Sequence, residues 1–478
     1  MSDERHDGLI DTLLLVGVLL AATFEIVSTE ARRPAEMAVS RANVLGLETT
    51  GMQFDAPVEA PDVALETMGL QHGASAARDM LTHLRDAMAE ANATPELQVV
   101  WVAMATSYRE DRLALGAIAT LVRKPALLAS HEATLDELTR LASGRPATKL
   151  DVLTARFADL GASTWLISRL RERHFANAGD LVAAARAAES YRATAADYIG
   201  RRVTMFAIPA LLALVGLVTL ILFPWWYRRL AARGYAGLAG TTSPFRHPRT
   251  RRVLFGWVLG SWALGQLLFG VVAALGTDLR GIALTSALDT ILNGLLALAL
   301  IQNWGRERED TRHLGPLLGF TTASLPKRRW GLAAWLVPGV GVAFAFMFAG
   351  VILGSLLIGP HSDHQTSIDL VLADDRFETW LGIGLAAGVA APVVEEVLFR
   401  GFIYRNLRDQ LGRGGGAVLS GLIFGAVHMH PTLIVPLTLF GVGLALLYEW
   451  SGSLLVPIAA HAAWNIMTLV TLHDQIRV

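Results

Sequence analysis

Long apolar stretches, separated by short polar or basic segments, run through most of this chain. A hydrocarbon core about 30 Å thick takes roughly 20 helical residues to cross. Stretches of that character fall at 9–27, 205–226, 253–275, 281–303, 331–358, 379–407, 415–428, 437–448 and 453–471. The first is the weakest, because Asp11 and Glu25 lie near its ends and its uninterrupted apolar core runs only from Leu13 to Phe24. Arg5 is the one basic residue before it and no small-x-small cleavage site follows, so it reads as an uncleaved anchor rather than a signal peptide.

Residues 28–204 follow a different pattern. They are Ala-rich and charged, with apolar residues at helical spacing: Met80, Leu81, Leu84 and Met88, then Leu135, Leu138 and Leu141. Thr94-Pro95-Glu96 has the form of an N-cap followed by Pro at the first helical position. No strand-like alternation stands out. The expectation is an all-α polytopic membrane helix bundle with an inserted extracytoplasmic α-helical domain. Its parts are an anchor at 1–27, the inserted domain at 28–204, membrane helices at 205–358 and a catalytic membrane core at 359–478.

Composition agrees with this reading. The chain of 478 residues is 53% hydrophobic and 17% charged, with a mean hydropathy of +0.43. That is typical of a multi-spanning membrane protein. A net charge of -1 gives no sign of a nucleic-acid partner, and the lack of cysteine excludes disulfides, thiolate nucleophiles and Cys-ligated metals. Three lysines against many Arg and Ala suggest a GC-rich bacterial gene, hence a multi-pass protein of a bacterial inner membrane.

Basic residues set the expected sidedness. Arg228, Arg229, Arg233, Arg246, Arg249, Arg251 and Arg252 follow the second span. Arg306, Arg308, Arg312, Lys327, Arg328 and Arg329 follow the fourth, and Arg405, Arg408 and Arg413 follow the sixth. The positive-inside rule puts all three loops in the cytoplasm. The opposite loops are poor in basic residues, and 360–378 is acidic, so residues 28–204 are expected outside.

The candidate chemistry lies inside three of the apolar segments. Ala390-Ala391-Pro392-Val393-Val394-Glu395-Glu396 is followed by Arg400; Phe424 precedes His428 by four residues, and His461 precedes Asn465 by four. Ionisable groups at membrane depth are costly and by default functional. Successive helical residues point about 100° apart, so Glu395 and Glu396 cannot share a direction. Glu396 and Arg400 share a face in the favoured i, i+4 order. That pairing leaves Glu395 to face a cavity as a general base. Each cluster has a plain structural explanation, as an ion pair or as a hydrogen bond across the bundle, but the three together point to catalysis.

Glu395 and His428 are equidistant from the Leu411–Gly416 hairpin, which predicts that they lie at one level. For His461 to match them, the stretch between must be less than a full span. Pro431 and Pro436 suggest a broken or re-entrant segment before a short helix at 437–448. Gly384/Gly388 and Gly421/Gly425 are spaced for close helix approach. His361 and His364 read as solvated loop residues, and His430 is ambiguous.

This constellation resembles the CPBP family, the CAAX-protease and bacteriocin-processing (Abi) group of intramembrane endopeptidases. Its Glu-Glu-x-x-x-Arg, Phe-x-x-x-His and His-x-x-x-Asn patterns occur here in order within roughly 379–471. The resemblance implies an endopeptidase acting through Glu395, His428, His461 and Asn465, with Glu396, Arg400 and Phe424 in support. In that reading Glu395 activates water, His428 positions it, and His461 and Asn465 stabilise the oxyanion. Residues 28–204 match no part of the family core. Cofactor use stays open between none and a zinc ion on Glu395, His428 and His461.

The expected substrate is a membrane-associated protein or hydrophobic peptide cut near the cytoplasmic leaflet, with the outer domain available to a protein partner. The alternatives are a non-catalytic scaffold or immunity factor on the same fold and, further off, a proton-relaying transporter. Fold alone does not choose among them.

Overall fold

The computed structural model describes residues 76–90, 94–123, 125–232, 249–275, 279–305, 333–358, 377–428 and 431–476. It adds short stretches at 14–16, 237–238, 241–245 and 318–320, and single residues 18, 44, 48 and 52. Most of the anchor at 9–27, and His361, His364 and His430, lie outside the described residues. Among the described residues the regular structure is helical throughout, and the chain forms two compact units, one within 31–205 and one within 206–472.

The first unit contains α1 (Ala76–Glu90), α2 (Pro95–Ser107), α3 (Asp111–Leu121), α4 (Pro125–Ala142), α5 (Leu150–Asp159), α6 (Thr164–Ala178) and the start of α7 (Leu181–Ala231). The helical spacing picks out its core: Leu81, Met88, Leu135, Leu138 and Leu141 are buried, and Met80 and Leu84 pack against them. Thr94 does hold the N-cap position of α2, but its hydroxyl makes no capping bond. Pro95, which has no N–H to satisfy, starts the helix.

Within the same core Arg169 lies over the Tyr108 ring at 3.6 Å and hydrogen-bonds Ser107. Glu48 accepts the backbone N–H of Ser163, the N-cap of α6, at 3.0 Å on each carboxylate oxygen. Burial raises the Glu48 carboxyl from 4.5 to about 8, against the lowering effect of the Ser163 bonds. An acid with a raised folded pKa binds its proton more tightly when folded, so its stabilising contribution is lost as pH rises from about 4.5 to 8. Glu48→Gln keeps an acceptor for Ser163 and removes the titration. The unfolding midpoint of this unit is expected to fall between pH 5 and 8 in the wild type and to lose that component in the variant. Parallel pH curves would refute the assignment.

The second unit is a membrane bundle. It contains the rest of α7, then α8 (Thr250–Leu275), α9 (Leu279–Leu300) with a π-helical end at Ile301–Gly305, and α10 (Ala333–Ile358). Next come α11 (Phe377–Leu385), a π-helical turn at Ala386–Ala390, α12 (Ala391–Glu396), a second π-helical stretch at Val397–Tyr404, and α13 (Arg405–Ala426). A 3-10 turn at Pro431–Leu433 leads to α14 (Ile434–Ser451) and α15 (Leu455–Ile476). Among the described residues four helical runs are long and apolar enough to cross a bilayer: Ala207–Arg229, Trp335–Leu357, Trp380–Ala426 and Ile434–Ser451; Leu455–Thr471 is a shorter apolar helix.

The run from Trp380 to Ala426 folds back at Gly412, whose φ of 74° and ψ of 175° break the helix inside the expected hairpin. A side chain there would be strained, which is why glycine holds the corner. After the hairpin α13 lies against α14. A Cβ at Gly421 would come within 2.6 Å of the Thr438 carbonyl oxygen, and one at Gly425 within 2.7 Å of that of Ile434. The small residues therefore bring backbone against backbone, as expected of membrane helix pairs. Gly388 similarly faces the Ile466 side chain, but among the described residues Gly384 meets nothing within 4 Å, so its part in close packing is corrected. The expected short helix at 437–448 is corrected too. Pro436 falls in the first turn of α14, where proline costs no hydrogen bond, and the helix runs from Ile434 to Ser451 without interruption.

Candidate active site

Two π-helical segments flank the Glu-Glu pair. Such wide turns leave backbone carbonyls out of the regular ladder and often mark functional positions. Asn465 of α15 donates its side-chain N–H to the carbonyl of Ala387, inside the first π turn, at 2.7 Å. Asn465 thus ties α15 to the helix that carries the acids, with a second N–H still to spend.

Glu396 points into the bundle. It and Arg400 are fully buried, and Arg400 Nη1 donates to Glu396 Oε1 at 2.8 Å, the pairing expected from the i, i+4 spacing. Arg400 Nη2 donates to the carbonyl of Gly441 on α14 at 3.1 Å, and its guanidinium stands 4.6 Å from the centre of the Phe424 ring. The same Glu396 oxygen lies 2.9 Å from His461 Nδ1. A carboxylate in an ion pair with Arg accepts, so His461 Nδ1 carries a hydrogen and Nε2 faces the other way.

That direction leads to Glu395. Its Oε2 is 3.8 Å from His461 Nε2 and has no hydrogen-bond partner among the described residues, while its side chain keeps 23% of its surface accessible. The two acids thus diverge, as helix geometry requires: Glu396 is locked by two donors and Glu395 is left open beside an imidazole. His461 is also held between rings, with Phe440 at 5.3 Å and Phe424 at 5.8 Å, both edge-on.

His428 ends α13. It is exposed, and Phe424 lies edge-on to it at 5.0 Å. Its Nδ1 is 2.7 Å from the Phe424 carbonyl oxygen, which can only accept, so here too the hydrogen is on Nδ1 and Nε2 is the outward nitrogen. Phe424 therefore contacts both imidazoles, and each ring is held in the same tautomer.

Among the described residues no group of three or more His, Asp or Glu side chains stands close enough to hold a metal ion. Glu395, His428 and His461 thus fall short of the three-ligand set that a catalytic zinc needs.

Residues 377–467 match the family model of the type II CAAX prenyl endopeptidases, Rce1-like. Over this stretch the chain is similar to that family. A Bacillus subtilis protein named "Putative membrane peptidase YdiL" is 26% identical over 149 residues, which is 30% of this chain and 57% of that protein. The chain thus aligns with little more than half of that relative. No solved structure matches. The Rce1-like stretch holds Glu395, Glu396, Arg400, Phe424, His428, His461 and Asn465.

The sequence patterns do not mark the partners that hold these groups. The carbonyls of Ala387 and Gly441 have no residue-type signature. Nor does the pattern separate the basic residues at the base of α13 from ordinary loop charges. Arg408 is buried on Glu449 at 2.7 Å and bonds the carbonyls of Leu238 and Thr241; Arg405 bonds that of Thr242. Tyr404 completes the network by donating to Glu449 at 3.1 Å.

Proposed function

We propose that this protein is an intramembrane endopeptidase in which Glu395 activates a water molecule for attack on a peptide bond. The observation that carries the reading is the divergent pair: Glu396 is fully buried and held through Oε1 by Arg400 and His461, whereas Glu395 is partly accessible, makes no hydrogen bond among the described residues and faces His461 Nε2. The Rce1-like match and the relative's name support peptidase chemistry in general.

In this mechanism Glu395 takes the proton of a water molecule and later returns it to the leaving amine, so no net proton is consumed. His428, exposed and with Nε2 outward, orients the water. His461 Nε2, and the amide N–H of Asn465 not used on Ala387, face the substrate carbonyl; His461 would stabilise the oxyanion only as its protonated ring. Since the three groups that could take zinc do not assemble, no step passes through a metal.

Helix length bears on depth. The path from Glu396 to Arg408 is at most roughly 18 Å, the α-helical length at 1.5 Å per residue, because the π-helical turns between them rise less. With the basic hairpin at the membrane face, the acids stand near the middle of a core about 30 Å thick. The proposed substrate is a hydrophobic, membrane-associated peptide cut within the membrane on the side of the basic hairpin. By the basic-loop pattern the unit within 31–205 lies outside, in a bacterial inner membrane, where it recruits a protein partner or substrate.

Incubating the full-length protein in proteoliposomes with membrane-spanning peptides should create new peptide termini within apolar segments, read by mass spectrometry. A folded preparation that creates none, with lipid-modified peptides included, would overturn the proposal.

A further inference from the structure

A second polar set lies on the apolar helices α8 and α9, outside the Rce1-like stretch and unused by the proposed chemistry. On α9, Asn293 Nδ2 donates to Asp289 Oδ2 at 3.0 Å. The remaining oxygens of that pair, Asp289 Oδ1 and Asn293 Oδ1, are buried without a hydrogen-bond partner, and so is Ser261 Oγ on α8.

The packing of α8 on α9 sets Ser261 on the face that meets Asp289 and Asn293. Trp257 Nε1 donates to the backbone carbonyl of Asn293 at 3.3 Å, and a Cβ at Gly265 would stand 4.0 Å from Asp289 Oδ1. Ser261 lies four residues from each, so it shares their helix face and sits between the two contacts. Gly265 keeps the facing position small.

Among the described residues no basic side chain pairs with Asp289. A buried carboxylate oxygen between apolar helices, without a counter-charge, is costly. Water would satisfy hydrogen bonds but not the charge, and a divalent ion would leave a surplus of one. Carboxylate, amide carbonyl and hydroxyl oxygens are hard donors that suit a small hard cation. A proton would need only one of them.

We propose that Ser261, Asp289 and Asn293 bind a sodium ion between α8 and α9. The test is thermal unfolding of the full-length protein in lipid nanodiscs, followed by tryptophan fluorescence in sodium, potassium and choline chloride at one ionic strength and pH. A ligand that binds only the folded state raises the midpoint with its concentration. The expected result is a saturating rise of several degrees in sodium above both other salts. Asp289→Asn and, as the milder change, Ser261→Ala should lose it while remaining folded. Equal midpoints in the three salts, or an undiminished sodium response in both variants, would overturn the site. A wild-type midpoint that follows pH but not sodium, and loses that dependence in Asp289→Asn, would make the occupant a proton and also overturn it. The readout needs no substrate, so its failure is separate from any failure of the peptidase reading.

Discussion

Glu395→Gln should lower peptide cleavage by about 100- to 10,000-fold, the usual contribution of a positioned general base, and leave the membrane unit folded. The two halves of this expectation have separate causes. The amide occupies the carboxylate's volume but cannot take a proton from water. Stability is preserved because Glu395 Oε2 has no hydrogen-bond partner to lose and the side chain is partly accessible. Its approach to His461 Nε2, at 3.8 Å, is longer than a hydrogen bond, so removing this charge takes little from the fold, and at a functional site can even stabilise it. The measurement pairs cleavage of one transmembrane peptide with the thermal midpoint of the same preparation. A folded Glu395→Gln protein with wild-type turnover would end the assignment of this residue as the base.

Arg400→Ala should have the largest effect on stability, about 3–5 kcal/mol, because it strands one member of a buried ion pair. Arg400 supplies Glu396 with a donor at 2.8 Å and also ties its helix to α14 through the Gly441 carbonyl. Without it, Glu396 keeps only His461, and the ring that faces Glu395 loses the fixed carboxylate that orients it. Replacing both partners with methionine should recover much of the loss, since an apolar pair of similar volume avoids the unpaired buried charge. Unfolding of the two single variants and the double variant measures the coupling. A loss under about 1 kcal/mol in Arg400→Ala would make the pair incidental.

Both variants act on a site that is partly legible in the amino-acid sequence. The i, i+4 relation of Glu396 and Arg400 follows from helix periodicity alone, as does the divergence of Glu395. The glycine run at 411–416 announces the corner, and the chain turns there at Gly412. Pro436 misleads as a helix breaker, because proline breaks a helix only where an N–H is needed, and a first turn needs none. Gly384 misleads for a similar reason: spacing says which glycines share a face, not whether a neighbour comes to that face.

The basic residues after the sixth span carry another lesson. In the sequence Arg405 and Arg408 look like loop charges, yet both are buried against carbonyls and, for Arg408, Glu449. Part of what the positive-inside rule counts is internal structure. The tautomers of His428 and His461 are illegible for a different reason, since they depend on a carbonyl and a carboxylate brought in from the fold.

The π-helical stretch at Val397–Tyr404 makes the chain's length a structural variable in its own right. A π turn is equivalent to an α-helix carrying one residue too many. Deleting Ile403, which makes none of the acids' hydrogen bonds, would let the segment relax to a regular helix. Everything before it would then rotate by about 100° relative to everything after it. Glu395 and Glu396 would keep their neighbours in sequence and lose their direction in space. A one-residue gap there is therefore a more drastic edit than most substitutions, and a family signature counted in letters would not register it.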